Sequence, residues 1–260
     1  MPVRSRGSLP VRVAVALALT ILATAPAAAQ SAAQLPAAKE LIAKFVKATN
    51  ATTVMSKHQS VRSKGRFEVP AAGLSGDVEI TQARPNKSLV RITIAGVGQV
   101  EQGFDGTTAW EINPMQGPRV KSGKELEAVR EESVFGESAR QGPNVTSAET
   151  VEKTEMNGEA CYKVKIVWKS GRETFDCYSA ASGLLVASTG KQETPMGAID
   201  VTNLISDYKE FGGQKVATRL TQQVMGAEQV LTILSVEYDP ADATSFEMPA
   251  AIKALVDKKP

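Results

Sequence analysis

His58 is the sole histidine of this 260-residue chain and sits in the stretch SKHQS. A histidine acts as a general base only beside a group that positions it and a nucleophile it can deprotonate. Nothing near His58 marks a nucleophile, so it reads as a surface or strand-edge side chain. GLSGD at 73–77 brings Ser75 close to two glycines, but Asp77 stands where a G-x-S-x-G elbow needs its last glycine, which leaves a turn. One His and two Cys, the latter at 161 and 177, lack the spacing of zinc ligands. The acidic run DPADATSFE from Asp239 has Ala and Thr where a calcium loop needs further ligands and a glycine, so it reads as a solvated turn. No G-x-x-x-x-G-K-[ST] phosphate cradle occurs. These readings imply no catalytic residue, no metal and no cofactor, and point away from an enzyme.

Cys161 and Cys177 carry a different chemistry. An even cysteine count in an oxidising compartment favours a disulfide. The two lie on either arm of a hairpin turning near Ser170-Gly171. A two-residue turn puts the thiols on opposite faces. A three-residue turn over Lys169–Gly171 makes them diagonal neighbours on one face, close enough to bond if twist shortens the usual diagonal. The alternative is two buried thiols.

The compartment follows from the N-terminus. MPVRSRGSLPVR carries Arg4, Arg6 and Arg12, VAVALALTILATA is apolar, and APAAAQ supplies small residues. That order is a secretory signal peptide, expected over 1–29 with cleavage after Ala29, and its apolar run is short for a membrane span. Its Ala-rich style is bacterial, so the expected destination is the periplasm. Residues 1–29 hold three of the 30 basic residues and none of the 28 acidic ones, so the remainder carries a net charge of about −1. No basic stripe is left to neutralise phosphates, which argues against nucleic acid as a partner.

The elements that must position these residues are mostly strands. SAAQLPAAKELIAKFVKATN reads as a helix ending near Asn50, with Leu41, Ile42, Phe45 and Val46 at helical spacing. Alternation of period two follows through KGRFEV, GDVEITQ, SLVRITI, GQVEQGF and TTAWEIN, with a hairpin turn at Asp105-Gly106 and a second turn at PMQGP. SGKELEAVREESVF reads as a second helix with a Ser122/Glu125 capping box, and GESARQGPNVTSAET as a polar loop. Turn glycines then recur at 158, 171, 183, 197, 213 and 226, spacing out a meander of strands. Tyr162, Val164, Ile166 and Trp168 share one face, and Trp110 with Ile112 another apolar face. The fold class is mainly β with a few helices (α+β): an antiparallel sheet of about ten or eleven strands, curled because a flat sheet of that size is disfavoured. The expected organisation is one β domain over 30–260.

The stretch SVRSKGRFEVPAAGLSGDVEITQARPNKSLVRITIAGVGQVEQGFDGTTAWEINPMQGP, with its strand, DG turn, Trp-bearing strand and P-x-x-G order before a helix, resembles the periplasmic outer-membrane lipoprotein-sorting proteins, the LolA-like group with its LolB and LppX relatives. SGLLVASTGKQETPMGAIDVTNLISDYKEFGGQKVATRL, with D-Y-K-E-x-G-G-x-K-V-A-T, extends the likeness. The motifs are fold-like rather than catalytic. The resemblance implies a half-open β-barrel covered by helices around an apolar cavity. It also implies a carrier or binding protein for an acyl chain, lipid or lipoprotein, with an envelope protein as a further partner. The alternative is a structural or interaction module without a ligand. Trp110, Met115, Ile166 and Trp168 are the expected ligand-lining residues, with Met115 at the rim and small apolar residues dominating the wall.

Overall fold

The computed structural model describes residues 35–136, 139–242 and 246–257. The signal segment and its cleavage point lie outside the described residues. Helix α1 (Ala38–Thr49) turns the spacing of Leu41 and Ile42 into a buried stripe, and Asn50 ends it in the left-handed region. A short α2 (Ala51–Met55) follows directly.

The strands are β1 (Ser60–Val69), β2 (Leu74–Ala83), β3 (Lys87–Ile94), β4 (Gly98–Phe104), β5 (Ala109–Asn113) and β6 (Gly117–Val120). After α3 (Gly123–Glu132) come β7 (Val145–Met156), β8 (Glu159–Trp168), β9 (Glu173–Ser179), β10 (Leu185–Thr194), β11 (Gly197–Phe211), β12 (Gln214–Val224) and β13 (Ala227–Tyr238), and then α4 (Ala250–Val256). Among the described residues the 13 strands form one antiparallel sheet in the order β6-β5-β4-β3-β2-β1-β13-β12-β11-β10-β9-β8-β7. It is two meanders joined where β1 pairs with β13, and it stays open, with β6 and β7 as its edges.

The count exceeds the ten or eleven expected because both edge strands lack an alternation signal. β6 is the four residues GPRV, and β7 runs through VTSAETVEKTEM, polar on both faces and mostly exposed. The second half of the supposed polar loop is therefore strand. Charge on a long edge also protects it from pairing with other chains.

Register decides which side chains share a face, because directly opposed residues point the same way. Val164, Asp176, Ser188, Asn203 and Gln222 form one line from β8 to β12. Phe67, Leu231, Leu220 and Ile205 run parallel to it on the same face. Helix α1 packs here, with Leu41, Ile42 and Phe45 against Val164, Ile166, Trp168 and Tyr178. Burying side chains such as Leu41 and Ile42 is worth roughly 1.5–3 kcal/mol each.

Trp110 lies on the opposite face. It opposes Gly103, which in turn opposes Leu89, and the indole is covered by Ile252 of α4 with Phe246 and Met248 beside it. Its Nε1 donates to Glu101 Oε1 at 3.2 Å, and Arg91 Nε donates to the other carboxylate oxygen at 2.9 Å. Gly103 has no side chain because the indole lies flat on its Cα; any Cβ there would sit inside the Trp110 ring. The turn that brings β4 back as β5 works as its DG signal implies, with Asp105 Oδ1 accepting from Thr107 N and Thr108 N at 2.8 Å each and Gly106 at φ 105°.

Cys161 and Cys177 are joined, with Cα atoms 5.5 Å apart. Cys161 opposes Ser179 and Cys177 opposes Lys163, which is the diagonal set by the three-residue turn Lys169–Gly171. The bridge packs on the face away from α1, against Val186 and Ala187.

Two outcomes follow. Under denaturing, non-reducing conditions the protein should show no free thiol, and replacing both cysteines by alanine should cost roughly 3 kcal/mol of stability for a loop of this length; two titratable thiols would contradict the bridge. Gly103→Ala should lower stability by about 1–3 kcal/mol through overpacking against Trp110, read by thermal unfolding, and an unchanged midpoint would refute the flat contact.

Candidate functional site

Helix α3 connects β6 to β7, so it must travel from one edge of the sheet to the other. It crosses the face that α1 also covers. Its sequence GKELEAVREE offers little grease, and its one buried side chain is Glu131. Charge fastens it instead. Arg119 of β6 donates Nη1 to Glu125 Oε2 at 2.8 Å and Nη2 to Glu111 Oε2 at 2.6 Å. Glu125 is thereby drawn away from Ser122, which makes no side-chain cap, so the expected capping box does not form. At the other end Glu131 accepts from Ser170 N at 2.8 Å and from Ser170 Oγ at 3.1 Å. Arg172 Nη2 lies 2.7 Å from Glu132, and its guanidinium stacks 4.8 Å over Trp168. Beyond the helix Arg140 Nε donates to Asp176, a fully buried carboxylate that also accepts from Tyr178 OH at 3.2 Å.

Between α3 and the sheet lies a cavity of about 690 Å³. Ala128 and Val129 of α3, with Ile199 and Val201 of β11, give it apolar wall; Gln102, Glu111, Arg119, Lys121, Asn203 and Gln222 give it polar wall. A second hollow of about 480 Å³ adjoins it past Gly190 and Arg172. Met196 and Met225, on the β10–β11 and β12–β13 turns, line the first cavity. The β5–β6 turn, which carries Met115, falls at the same end of the sheet.

Electrostatics differ along the wall. Hydrogen bonding to Glu125 raises the Arg119 pKa above its ordinary value, so this guanidinium is charged at every working pH. Burial lowers that of Lys121, with Arg119 adding to the fall and Glu111 and Glu125 opposing it.

None of the four expected lining residues lines this cavity. Trp110 is on the far face under α4. Ile166 is fully buried in the core against α1. Trp168 is one layer behind the wall: its Nε1 donates to Thr174 Oγ1 at 3.0 Å, and Thr174 and Arg172 face the space. Met115 is 86% exposed at its turn tip. The wall is also mixed rather than dominated by small apolar residues. Alternation did carry a signal for the true wall. Glu111 stands between Trp110 and Ile112, and Arg119 and Lys121 flank Val120, so the polar phase of β5 and β6 faces the cavity.

His58 and the acidic run are structural fasteners. His58 Nδ1 is 2.8 Å from Asp239 Oδ2 and stacks on Tyr238, while Asp239 Oδ1 accepts from Gln59 N and Ser60 N at 2.7 and 2.9 Å. The hydrogen bond from His58 holds the Asp239 carboxyl below its usual range. Asp242 chelates the buried Arg62 through both carboxylate oxygens at 2.7 and 2.9 Å. The run read as a solvated turn thus clamps the end of β13 to the start of β1.

Compared with solved structures, the chain is similar to a LolA superfamily protein from Nitrosomonas europaea, at 14% identity over 79% of this chain and 95% of that one, with a TM-score of 0.53. The chain has a LolA-type fold. A DUF1329 family protein from Desulfovibrio piger (13% identity, 77% and 95% covered, TM-score 0.49) and an outer membrane lipoprotein-sorting protein domain from Vibrio parahaemolyticus (8%, 78% and 92%, 0.49) are also similar. No protein-family model matches the chain, and no curated protein does. In this LolA-type fold the open sheet, the crossing helix and the space between them are the features that could hold a ligand.

Arg119→Met should destabilise the protein by roughly 1–3 kcal/mol, because the part-buried Glu111 and Glu125 lose their shared charged hydrogen-bond partner. Chemical denaturation of the variant measures it, and a loss near zero would contradict the fastening role. Lys121 has a sign of its own. Its folded pKa lies below the ordinary 10.5, so the charged form burdens the fold at lower pH and the burden lifts as pH rises towards 10.5. Wild type should therefore gain stability relative to Lys121→Met across the alkaline window beneath that value, and parallel pH profiles would refute this.

Proposed function

We propose that this chain is a non-catalytic periplasmic binding or carrier protein whose ligand carries an acyl chain and lies between α3 and the sheet. The observation that carries the reading is the cavity of about 690 Å³ held open by a charge-fastened helix. That volume is in the range of ligand pockets, which lie preferentially in barrel mouths and between layers. The apolar lines of half-buried side chains on the same face, Phe67 to Ile205, offer a path along which a chain can continue. The LolA-type fold agrees with carriage of a greasy cargo. The Cys161–Cys177 bridge agrees with an oxidising compartment, as does the signal-like segment at 1–29, which leaves 30–260 as the single functional domain.

The mixed wall narrows the ligand. A purely apolar molecule would leave Gln222, Asn203 and Lys121 without partners, at a desolvation cost. An amphiphile satisfies both parts of the wall. Met196 and Met225 are unbranched and polarizable, and suit contacts with a lipid or with an envelope partner that hands it over.

Fluorescence titration of the folded protein with a fatty-acid probe should show saturable binding. Ala128→Trp, which fills the space from α3, should abolish it while leaving the thermal midpoint close to wild type. Ile166→Glu is a poor test, since that residue is core and the variant would unfold. Absence of saturable binding would instead favour an interaction module without a ligand.

A further inference from the structure

Every cation lining the cavity except one is already paired among the described residues. Arg119 holds Glu111 and Glu125, Arg172 holds Glu132, and Lys191 Nζ is 2.9 Å from Asp200. Lys121 has no carboxylate within ion-pair distance and no side-chain hydrogen bond; its fixed contact is through the backbone, with N donating to Ala109 O at 2.8 Å. The carboxylates that could have served it are occupied. Glu111 and Glu125 are taken by Arg119, Glu132 by Arg172, and Glu193 lies 3.8 Å from Lys124.

The position is set by the backbone. Lys121 follows the edge strand β6 in phase with Arg119, so its side chain enters the same space. Across that space stand Ala128 and Val129, and Ile199 and Val201 form the sheet wall. An unpaired ammonium is thus set, part-buried, in the wall of the same cavity as Val129, Ile199 and Val201. Such a group costs free energy until an anion joins it, and the gain from pairing is larger there than at the surface.

We propose that Lys121 is the receptor for the anionic group, carboxylate or phosphate, of a single-chain amphiphile whose tail lies against Val129, Ile199 and Val201. This rests on the carrier reading above and adds the polarity and polar class of its ligand. Arg119 is not an equal candidate, because its two carboxylates neutralise it and hold its fork geometry. It instead keeps Glu111 and Glu125 from pairing with Lys121.

The test uses the full chain after delipidation. Wild type, Lys121→Met and Lys121→Arg are titrated with a long-chain fatty acid, the alcohol of equal length, a lysophosphatidic acid and inorganic phosphate alone. Thermal unfolding verifies that each variant is folded, and Lys121→Met should fold well because it removes a desolvated charge. Wild type should bind the acid and the phosphate amphiphile roughly ten- to a hundredfold more tightly than the alcohol, the worth of one charged hydrogen bond. Lys121→Met should lose that preference and bind acid and alcohol alike, and Lys121→Arg should keep most of it. Acylation of the Lys121 amine, followed by peptide mass spectrometry, should be slowed by the fatty acid and not by the alcohol. Equal binding of acid and alcohol by wild type overturns the inference and leaves the carrier reading standing, as does an acid preference that survives in Lys121→Met. Saturable binding of inorganic phosphate as tight as that of the amphiphile overturns the assignment to a lipid headgroup. If the alcohol, the acid and the phosphate amphiphile all fail to bind wild type, the carrier reading itself falls and takes this inference with it.

Discussion

Helix α3 is held over the sheet by ion pairs, and the cavity exists because of that choice. An apolar helix would sink onto the sheet and close the space, as α1 does against Val164, Ile166 and Tyr178. A helix fastened at its ends by Arg119 and Arg172 can stand off from the strands between them. These pairs are only part-exposed, so they are screened less by salt than surface pairs. Arg119 also has geometry that lysine could not supply, because its planar fork holds carboxylates from two elements at once, Glu111 of β5 and Glu125 of α3.

The sheet makes such a helix necessary. Its strand order leaves β6 and β7 as opposite edges, yet they are consecutive in the chain. The connection must therefore cross the open face, and the topology puts a lid-like element there before any side chain is chosen. The remaining cover is divided by function. α1 seals the C-terminal meander on that face, and α4 seals Trp110 and Leu89 on the other. What α1 leaves open on its own face is the space under α3, one wall of which carries Lys121.

Much of the fold was legible in the sequence, and the reasons it was legible are physical. Alternation through Tyr162, Val164, Ile166 and Trp168 marked a strand half-buried on one side, and the helical spacing of Leu41, Ile42 and Phe45 marked the helix that covers it. The three-residue turn at Lys169–Gly171 was one of two registers open to the hairpin, and only that one lets Cys161 and Cys177 meet. The site was less legible. Period two says that Trp110 and Glu111 point to opposite sides; it does not say which side is the interior. That is decided by α4, a seven-residue helix more than a hundred positions away, too short to announce itself. Trp110, Ile166 and Trp168 were expected to line a cavity because they lie on apolar strand faces, but large apolar side chains on such a face also pack closely, as Trp110 does under α4 and Ile166 against α1. The side chains facing the space are the polar partners of the alternation, and the Ser122/Glu125 capping box is not formed, with the Glu125 carboxylate held by Arg119 instead.

The central claim is that the space under α3 is occupied by an amphiphile in the cell. A native mass spectrum of the protein purified from its own cells without detergent tests it most directly. The spectrum should show a mass above that of the bare polypeptide by one acidic, acyl-bearing molecule, removed by organic extraction and absent from Ala128→Trp purified alongside. A spectrum showing the bare polypeptide for the wild type, or the same adduct retained on Ala128→Trp, would contradict it.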